Sequence, residues 1–160
     1  MAESGSTNAE RLLEQLRRDE GAVRDRDGRH AAYRCPAGKL TIGYGHNLEA
    51  NPLPGMGEGA TMVEHEAAKL LERDAELVTG QVLRALPWSI TLDFPRFAVL
   101  VNMAFNMGIA GLCSFTGTLA DVKRGDYAGA ARRMRASKWA FQVKERARRL
   151  IRQMETGQWQ

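Results

Sequence analysis

The 160-residue sequence predicts an α+β fold in which helices dominate and one small sheet lies in the N-terminal third. Apolar residues recur at helical spacing along most of the chain, whereas alternation of apolar with small or polar residues is confined to residues 31–46. A content of 44% hydrophobic and 26% charged residues is ordinary for a globular domain. We therefore expect a packed core rather than disorder.

Capping and turn residues mark the N-terminal elements. Thr7-x-x-Glu10 is a capping box and predicts a helix that ends at Gly21. Residues 31–46, with Pro-Ala-Gly at positions 36–38, predict a hairpin. Residues 51–59, with two prolines and three glycines, predict a loop.

Two long helices are expected next. Thr61-x-x-Glu64 is a second capping box and predicts the start of a helix that continues to about Leu86. A core helix follows from about Asp93, and Gly108 and Gly111 are expected to break it.

The remaining C-terminal sequence predicts shorter helices. They cover residues 116–123, 126–137 and, as a basic last helix, 143–156. The expected organisation is one domain over residues 1–160, comprising an N-terminal helix and β-lobe (1–60), a connecting helix (61–86) and a helical lobe (87–160).

Charge is unevenly distributed along the chain. The net charge is +4, and residues 123–152 contain eleven Lys or Arg against two acids. This imbalance fits nucleic acid, anionic lipid or anionic cell wall as a partner, and it also fits a solvated helix face. Cys35 and Cys113 are expected to be thiols, because a domain of this size needs no disulfide. Residues 1–10 show no secretory signal, so we expect the protein to remain in the cytoplasm where it is made.

Glu20 is a candidate general acid. At about 100° per residue it lies roughly 30° from the apolar stripe of the first helix, whereas Asp19 lies roughly 70° away. Glu20 also lies in the last helical turn, where the helix dipole disfavours a negative charge. Both factors favour the protonated form that a general acid requires. A Glu at a helix end is also commonly only a solvated residue.

The segment from Leu40 to His46 is a second candidate. Strict alternation would place bulky side chains on one face and Thr41, Gly43 and Gly45 on the other. Two glycines on one face suggest the close approach of a ligand or another backbone. Thr41 would provide the hydroxyl on that face, although Thr41 also suits a strand by propensity and His46 could be purely structural.

Taken together, these residues resemble the phage lysozyme family, glycoside hydrolase family 24. The similarity is colinear and covers nearly the whole chain: Glu20-Gly21, residues 33–38, 41–46, 102–108, 114–116 and 137–139, Arg146, and the closing residues 156–159.

The resemblance implies a lysozyme-like fold and a catalytic set of a Glu, an Asp or Cys, and a Thr, the last two separated by five residues. Glu20, Cys35 and Thr41 occupy these places. The chain departs from the family between Glu20 and Cys35, where residues 25–30 form an extra polar segment that we interpret as a surface insertion. Its Asp25 or Asp27 could replace the missing acid, but the intact Cys-x5-Thr spacing favours Cys35.

The resemblance also assigns residues outside the catalytic set. Gly43, Asn106 and Gln142 match positions that line the substrate cleft, and His46 and Arg146 match supporting positions. The sequence indicates no metal ligands and no cofactor. The tryptophans at positions 139 and 159 are expected to pack in the core.

By this resemblance we expect an endolysin that hydrolyses the β-1,4 bond between N-acetylmuramic acid and N-acetylglucosamine of peptidoglycan, in a cleft between two lobes. A separate holin would release it from the host cytoplasm to the cell wall. We expect a monomer without nucleic-acid binding or membrane insertion. A lytic transglycosylase and a non-catalytic basic module that binds cell wall or nucleic acid are the alternatives.

Overall fold

A computed structural model describes residues 6–160, so half of the N-terminal stretch considered for a signal lies outside the described residues. The chain divides into two compact units, Met1–Glu76 and Leu77–Gln160. The predicted α+β class is confirmed. In the described residues, seven α-helices accompany short antiparallel strands.

Helix α1 (Asn8–Glu20) opens the first unit as the capping box predicts. The backbone amide of Thr7 donates to Oε2 of Glu10 at 2.6 Å, and the amide of Glu10 donates to Oγ1 of Thr7 at 3.2 Å. Gly21, with a φ of 63°, ends the helix. The helical wheel placed Asp19 farther from the apolar stripe than Glu20, but the side chain of Asp19 is only 1% exposed.

Two small antiparallel sheets follow α1 in the first unit. Strands β2 (Tyr33–Arg34), β3 (Leu40–Ile42) and β4 (His46–Asn47) form one sheet in the order β2-β3-β4. The predicted hairpin around residues 36–38 therefore connects β2 and β3. Strands β1 (His30–Ala31) and β5 (Thr61–Met62) form the other sheet, which the sequence did not predict.

Helix α2 (Glu64–Ala85) begins two residues later than the predicted capping box requires. Thr61 lies in β5, where it pairs with Ala31 of β1. The backbone amide of Val63 donates to Oε2 of Glu66 at 3.2 Å, so Glu66 takes the role expected of Glu64. Thr61 is therefore a strand residue and not a helix cap.

The second unit contains the helices after α2. A 3₁₀ turn (Pro87–Thr91) leads into α3 (Phe94–Cys113). The helix is interrupted by non-helical backbone at Gly108, as predicted, but the prediction was wrong for Gly111, which lies within the helix. Then follow α4 (Thr116–Lys123), α5 (Tyr127–Arg135), α6 (Lys138–Val143) and α7 (Glu145–Thr156). The predicted last helix over residues 143–156 is α7, which begins two residues later than expected, and α6 was not predicted from the sequence.

Helix α3 forms much of the core of the second unit. Residues 97–104 are all buried, and Trp139 of α6 is buried as expected. Within the described part of the chain, α3 alone is long and apolar enough to cross a membrane, and half of its most apolar window is buried in the fold. That burial is typical of a core helix, so the observation is weak evidence for a membrane span.

Candidate active site

The carboxyl group of Glu20 packs against the backbone of Gly45. Glu20 is the last residue of α1 and is partly buried. A β-carbon added to Gly45 would lie 2.8 Å from Oε2 and 3.3 Å from Cδ of Glu20. A side chain at position 45 would displace the end of the Glu20 side chain and strain the left-handed backbone, so glycine permits the close approach that the sequence suggested.

Gly45 belongs to a turn and not to the continuous strand that alternation predicted for residues 40–46. Strand β3 ends at Ile42, and its register with β4 pairs Ile42 with His46. Gly43 and Gly45 have φ angles of 64° and 81°, which are left-handed conformations that disfavour other residues. We call residues 43–45 the glycine turn. A β-carbon on Gly43 would contact Ala67 of α2 at 3.6 Å.

Thr41 lies at the centre of the three-stranded sheet. Its register partners are Tyr33 in β2 and Asn47 in β4, and it is 4% exposed. Its hydroxyl donates to the carbonyl of Lys39 at 3.0 Å. A hydroxyl with its proton engaged in this way retains lone pairs that can accept a hydrogen bond from water.

The hairpin connecting β2 and β3 stabilises negative charge at Cys35. The pKa of this thiol is lowered from its ordinary value, first because the backbone amide of Lys39 hydrogen-bonds to the sulfur. The backbone amide of Ala37 acts in the same direction, and burial opposes both effects. Cys35 and Cys113 are both free thiols, as predicted.

Side-chain cations are not the cause of this lowered pKa. Arg34 donates to Oε1 of Glu58 and, at 2.9 Å, to Oε1 of Glu49. The Nζ atom of Lys39 lies 3.5 Å from Oε2 of Glu49. Both cations next to Cys35 in sequence therefore have their own carboxylate partners, and backbone dipoles favour the thiolate instead.

Tyr33 is a member of the site that the sequence argument missed. Burial raises the pKa of its phenol first, and the negative charges of Glu20 and Cys35 raise it further. Tyr33 is therefore electrostatically coupled to two of the three predicted catalytic residues. Its register partner is the third, Thr41.

The inserted segment between α1 and the hairpin is held by its own hydrogen bonds. Oδ1 of Asp25 accepts the backbone amides of Asp27 and Arg29, both at 2.9 Å. This use of the carboxylate favours a loop-forming role for Asp25 over a role as base. The interpretation as a surface insertion was wrong for His30, which lies in β1 and is completely buried.

His46 is held at both ring nitrogens, and its supporting role stays a prediction. Its Nδ1 lies 2.7 Å from Oδ2 of Asp74, and its Nε2 lies 2.8 Å from the carbonyl oxygen of Asn51. Burial lowers the pKa of His46, but the hydrogen bonds to Asp74 and Asn51 outweigh it, so the net pKa is raised. Because both partners are acceptors, the geometry suits an imidazolium that donates from both nitrogens.

The predicted residues of the second unit form two hydrogen-bonded pairs and one exposed amide. Nε of Arg146 donates to Oδ1 of the buried Asn102 at 2.9 Å. Oδ1 of Asn106 accepts from Nε1 of Trp139 at 2.9 Å. Gln142 is exposed in α6. Gly43, Asn106 and Gln142 remain predictions as substrate contacts.

Known proteins resemble the chain over most of its length. The phage lysozyme family model matches residues 24–155. An endolysin of Acyrthosiphon pisum secondary endosymbiont phage 1 is 28% identical and covers 77% of this chain and 74% of its own. "Probable T4-type lysozyme 2" of Dictyostelium discoideum is 26% identical and covers 91% and 94%, respectively.

A longer relative is the pre-baseplate central spike protein Gp5 of Enterobacteria phage T4. It is 30% identical over 91% of this chain, which spans only 28% of the length of the spike protein. The family match and the lysozyme relatives define the class of protein as a glycosidase of the lysozyme type. This chain belongs to the phage lysozyme family.

Proposed function

We propose that this lysozyme hydrolyses the β-1,4 bond between N-acetylmuramic acid and N-acetylglucosamine, with Glu20 as the general acid. The contact between the Glu20 carboxyl and the backbone of Gly45 is the observation that supports this most directly. A rigid backbone against one side of the carboxyl fixes the direction in which it can give its proton. Glu20 protonates the glycosidic oxygen while positive charge develops on the sugar.

Thr41 and Cys35 prepare the water that completes hydrolysis. The hydroxyl proton of Thr41 is engaged by the carbonyl of Lys39, so its oxygen accepts a hydrogen bond from the water. Cys35, with its lowered pKa, accepts the proton of that water as the bond to the sugar forms. The thiolate does the work of the carboxylate that the chain lacks at this position.

The test of the acid is Glu20→Gln, assayed by the clearing of permeabilised bacteria. The amide has nearly the shape of the carboxyl but cannot supply a proton, so turnover should fall by at least about 100-fold. Glu14→Gln is the matched control, because Glu14 is an exposed residue of the same helix. A folded Glu20→Gln protein with normal turnover would refute the mechanism.

The products distinguish hydrolysis from the transglycosylase alternative. A hydrolase leaves reducing ends, whereas a lytic transglycosylase leaves anhydro-muramic ends because an internal hydroxyl attacks the sugar. Mass spectrometry of digested sacculi should show reducing ends only. Anhydro ends would exclude water activation by Cys35 and Thr41 while leaving Glu20 as the acid.

The biological role that fits this activity is lysis of the bacterial host. The endolysin relative supports this role by its name. We propose that the enzyme accumulates in the host cytoplasm as a monomer and reaches the wall when a separate holin permeabilises the membrane. Expression with and without a holin should give lysis only with the holin. Lysis without it would overturn the release step.

A further inference from the structure

The glycine turn carries one side chain, and that side chain is tied to α2. Tyr44 lies between Gly43 and Gly45, and its hydroxyl donates to Oε1 of Glu64 at 2.6 Å. Glu64 is the first residue of α2. The turn that contacts Glu20 is therefore connected to a long helix by a short hydrogen bond.

The other carboxylate oxygen of Glu64, Oε2, has two further hydrogen-bond partners. Nη2 of Arg24 lies 2.6 Å from Oε2, and Nε2 of His30 lies 2.8 Å from the same atom. Burial alone would raise the pKa of Glu64, but the hydrogen bonds from Tyr44, Arg24 and His30 lower it to about 2. The ionised carboxylate thus accepts all three hydrogen bonds at any pH at which the enzyme works.

One of these donors, His30, belongs to the segment of residues 25–30 that we interpret as an insertion, and Arg24 directly precedes that segment. The backbone of Arg24 bridges to His30 across the inserted loop, and the His30 ring is completely buried. The ring packs edge-on against Tyr44, with 4.8 Å between centroids. Its Nδ1 atom has no hydrogen-bond partner among the described residues.

The other end of the glycine turn is also tied to α2. His46 follows Gly45 directly, and its Nδ1 atom lies 2.7 Å from Oδ2 of Asp74. Glu64 and Asp74 thus restrain the turn from both ends. Gly45 lies between these two attachments, at the point where the turn contacts Glu20.

We propose that Glu64, acting through Tyr44, is a positioning residue that keeps the glycine turn against the carboxyl group of Glu20. The inserted segment supports this arrangement by supplying His30, and Arg24, which directly precedes the segment, adds a second hydrogen bond to Glu64. The inference rests on the proposed role of Glu20 as the acid. When the hydrogen bond is lost, the turn moves and the carboxyl no longer points at the glycosidic oxygen, whereas substrate binding is unchanged.

The test uses Tyr44→Phe, Glu64→Gln and the double variant on a soluble peptidoglycan oligosaccharide. Tyr44→Phe keeps the ring and its packing but removes the hydroxyl. Each single variant should lower kcat by roughly tenfold, since small misplacements of reacting groups cost one to two orders of magnitude. KM should stay within about twofold, because the loss concerns the transition state alone. The double variant should be no slower than the slower single variant, because the two residues act through one bond.

Glu145→Gln is the matched control. Like Glu64, Glu145 is the first residue of its helix and pairs with an arginine, Arg148, at 2.5 Å. The kcat of the Glu145→Gln variant should equal that of the wild type. Unchanged kcat in folded Tyr44→Phe, or additive losses in the double variant, would overturn the inference even where Glu20→Gln is inactive. An active Glu20→Gln would instead overturn the proposed function. If Glu64→Gln does not fold, Tyr44→Phe alone decides.

Discussion

Substituting Gly45 by alanine tests whether the backbone of the turn sets the position of Glu20, the proposed catalytic acid. The new β-carbon would lie 2.8 Å from Oε2 of Glu20, whereas ordinary contacts begin at 3.4 Å. The carboxyl or the turn must therefore move by about 0.6 Å. A displacement of about 1 Å can cost about 100-fold in rate, so we expect kcat to fall by roughly tenfold or more.

The substitution also strains the backbone, and this effect needs a control. Alanine in a left-handed conformation costs roughly 1–2 kcal/mol. Gly125, between α4 and α5, has the same φ of 81° as Gly45, but a β-carbon there would have nothing within 4 Å. Gly125→Ala should therefore lose similar stability without losing activity. At about 2–4 °C per kcal/mol for a chain of this size, both variants should melt roughly 2–8 °C lower than the wild type.

The assay is the clearing rate of permeabilised bacteria, measured well below both melting transitions. Gly45→Ala should be slow and Gly125→Ala normal, with melting temperatures close to each other. Equal clearing rates for the two variants would show that the contact between Gly45 and Glu20 has no part in catalysis. That result would refute the reasoning on the glycine turn.

Three further predictions concern charge. Cys35→Ser should lower turnover by at least about tenfold, whereas Cys35→Asp should retain most of the turnover. Cys113→Ser is the control and should leave the enzyme sensitive to a thiol reagent. A fully active Cys35→Ser would remove the thiolate from the mechanism. Asp74→Asn should cost about 3 kcal/mol of stability near pH 5 in denaturant unfolding. The pKa of His46 is raised in the folded protein, so the stability that this pair contributes is complete below about pH 6.5. It is lost as the pH rises through the raised pKa of His46. If Asp74→Asn costs as much stability at pH 9 as at pH 5, the prediction is wrong. If the basic residues 123–152 attract the anionic cell wall, activity on sacculi should fall as salt is added, since exposed charges are screened beyond about 10 Å at 0.1 M. Activity on neutral oligosaccharides should not fall. Equal salt sensitivity on both substrates would show that these residues form only a solvated helix face.

Elements with local signals could be predicted from the sequence. The reciprocal hydrogen bonds of Thr7 and Glu10 satisfy amides within one turn, so the capping box needs no distant partner. Helix α4 (Thr116–Lys123) likewise has the predicted bounds. These predictions succeeded because the residues that decide the structure are neighbours in the sequence.

The second capping box failed because distant residues compete for the same groups. Thr61 pairs with Ala31, and Glu64 accepts hydrogen bonds from Arg24, His30 and Tyr44. A pattern of four residues contains no information about such partners. The tertiary contacts therefore outweighed the local preference for a helix cap.

The glycines at positions 43 and 45 correctly predicted a close approach, but the continuous strand predicted around them was wrong. Alternation predicted one strand with a bare face, but left-handed φ angles at both glycines turn the chain there. The expected close approach is nevertheless present, because the Glu20 carboxyl contacts Gly45. Sequence alone could not identify what approaches, since Glu20 lies 25 residues earlier in the chain.

The environment of Cys35 explains how the thiol at this position can take a negative charge. The hydrogen bonds that favour negative charge at this position come mainly from the amides of Lys39 and Ala37, and not from a cationic side chain. Backbone amides are fixed by the hairpin and stabilise a thiolate or a carboxylate alike. The hairpin therefore stabilises a negative charge at position 35, whether a thiolate or a carboxylate carries it. For this reason Cys35→Asp should remain active, whereas Cys35→Ser, which carries no charge at neutral pH, should not.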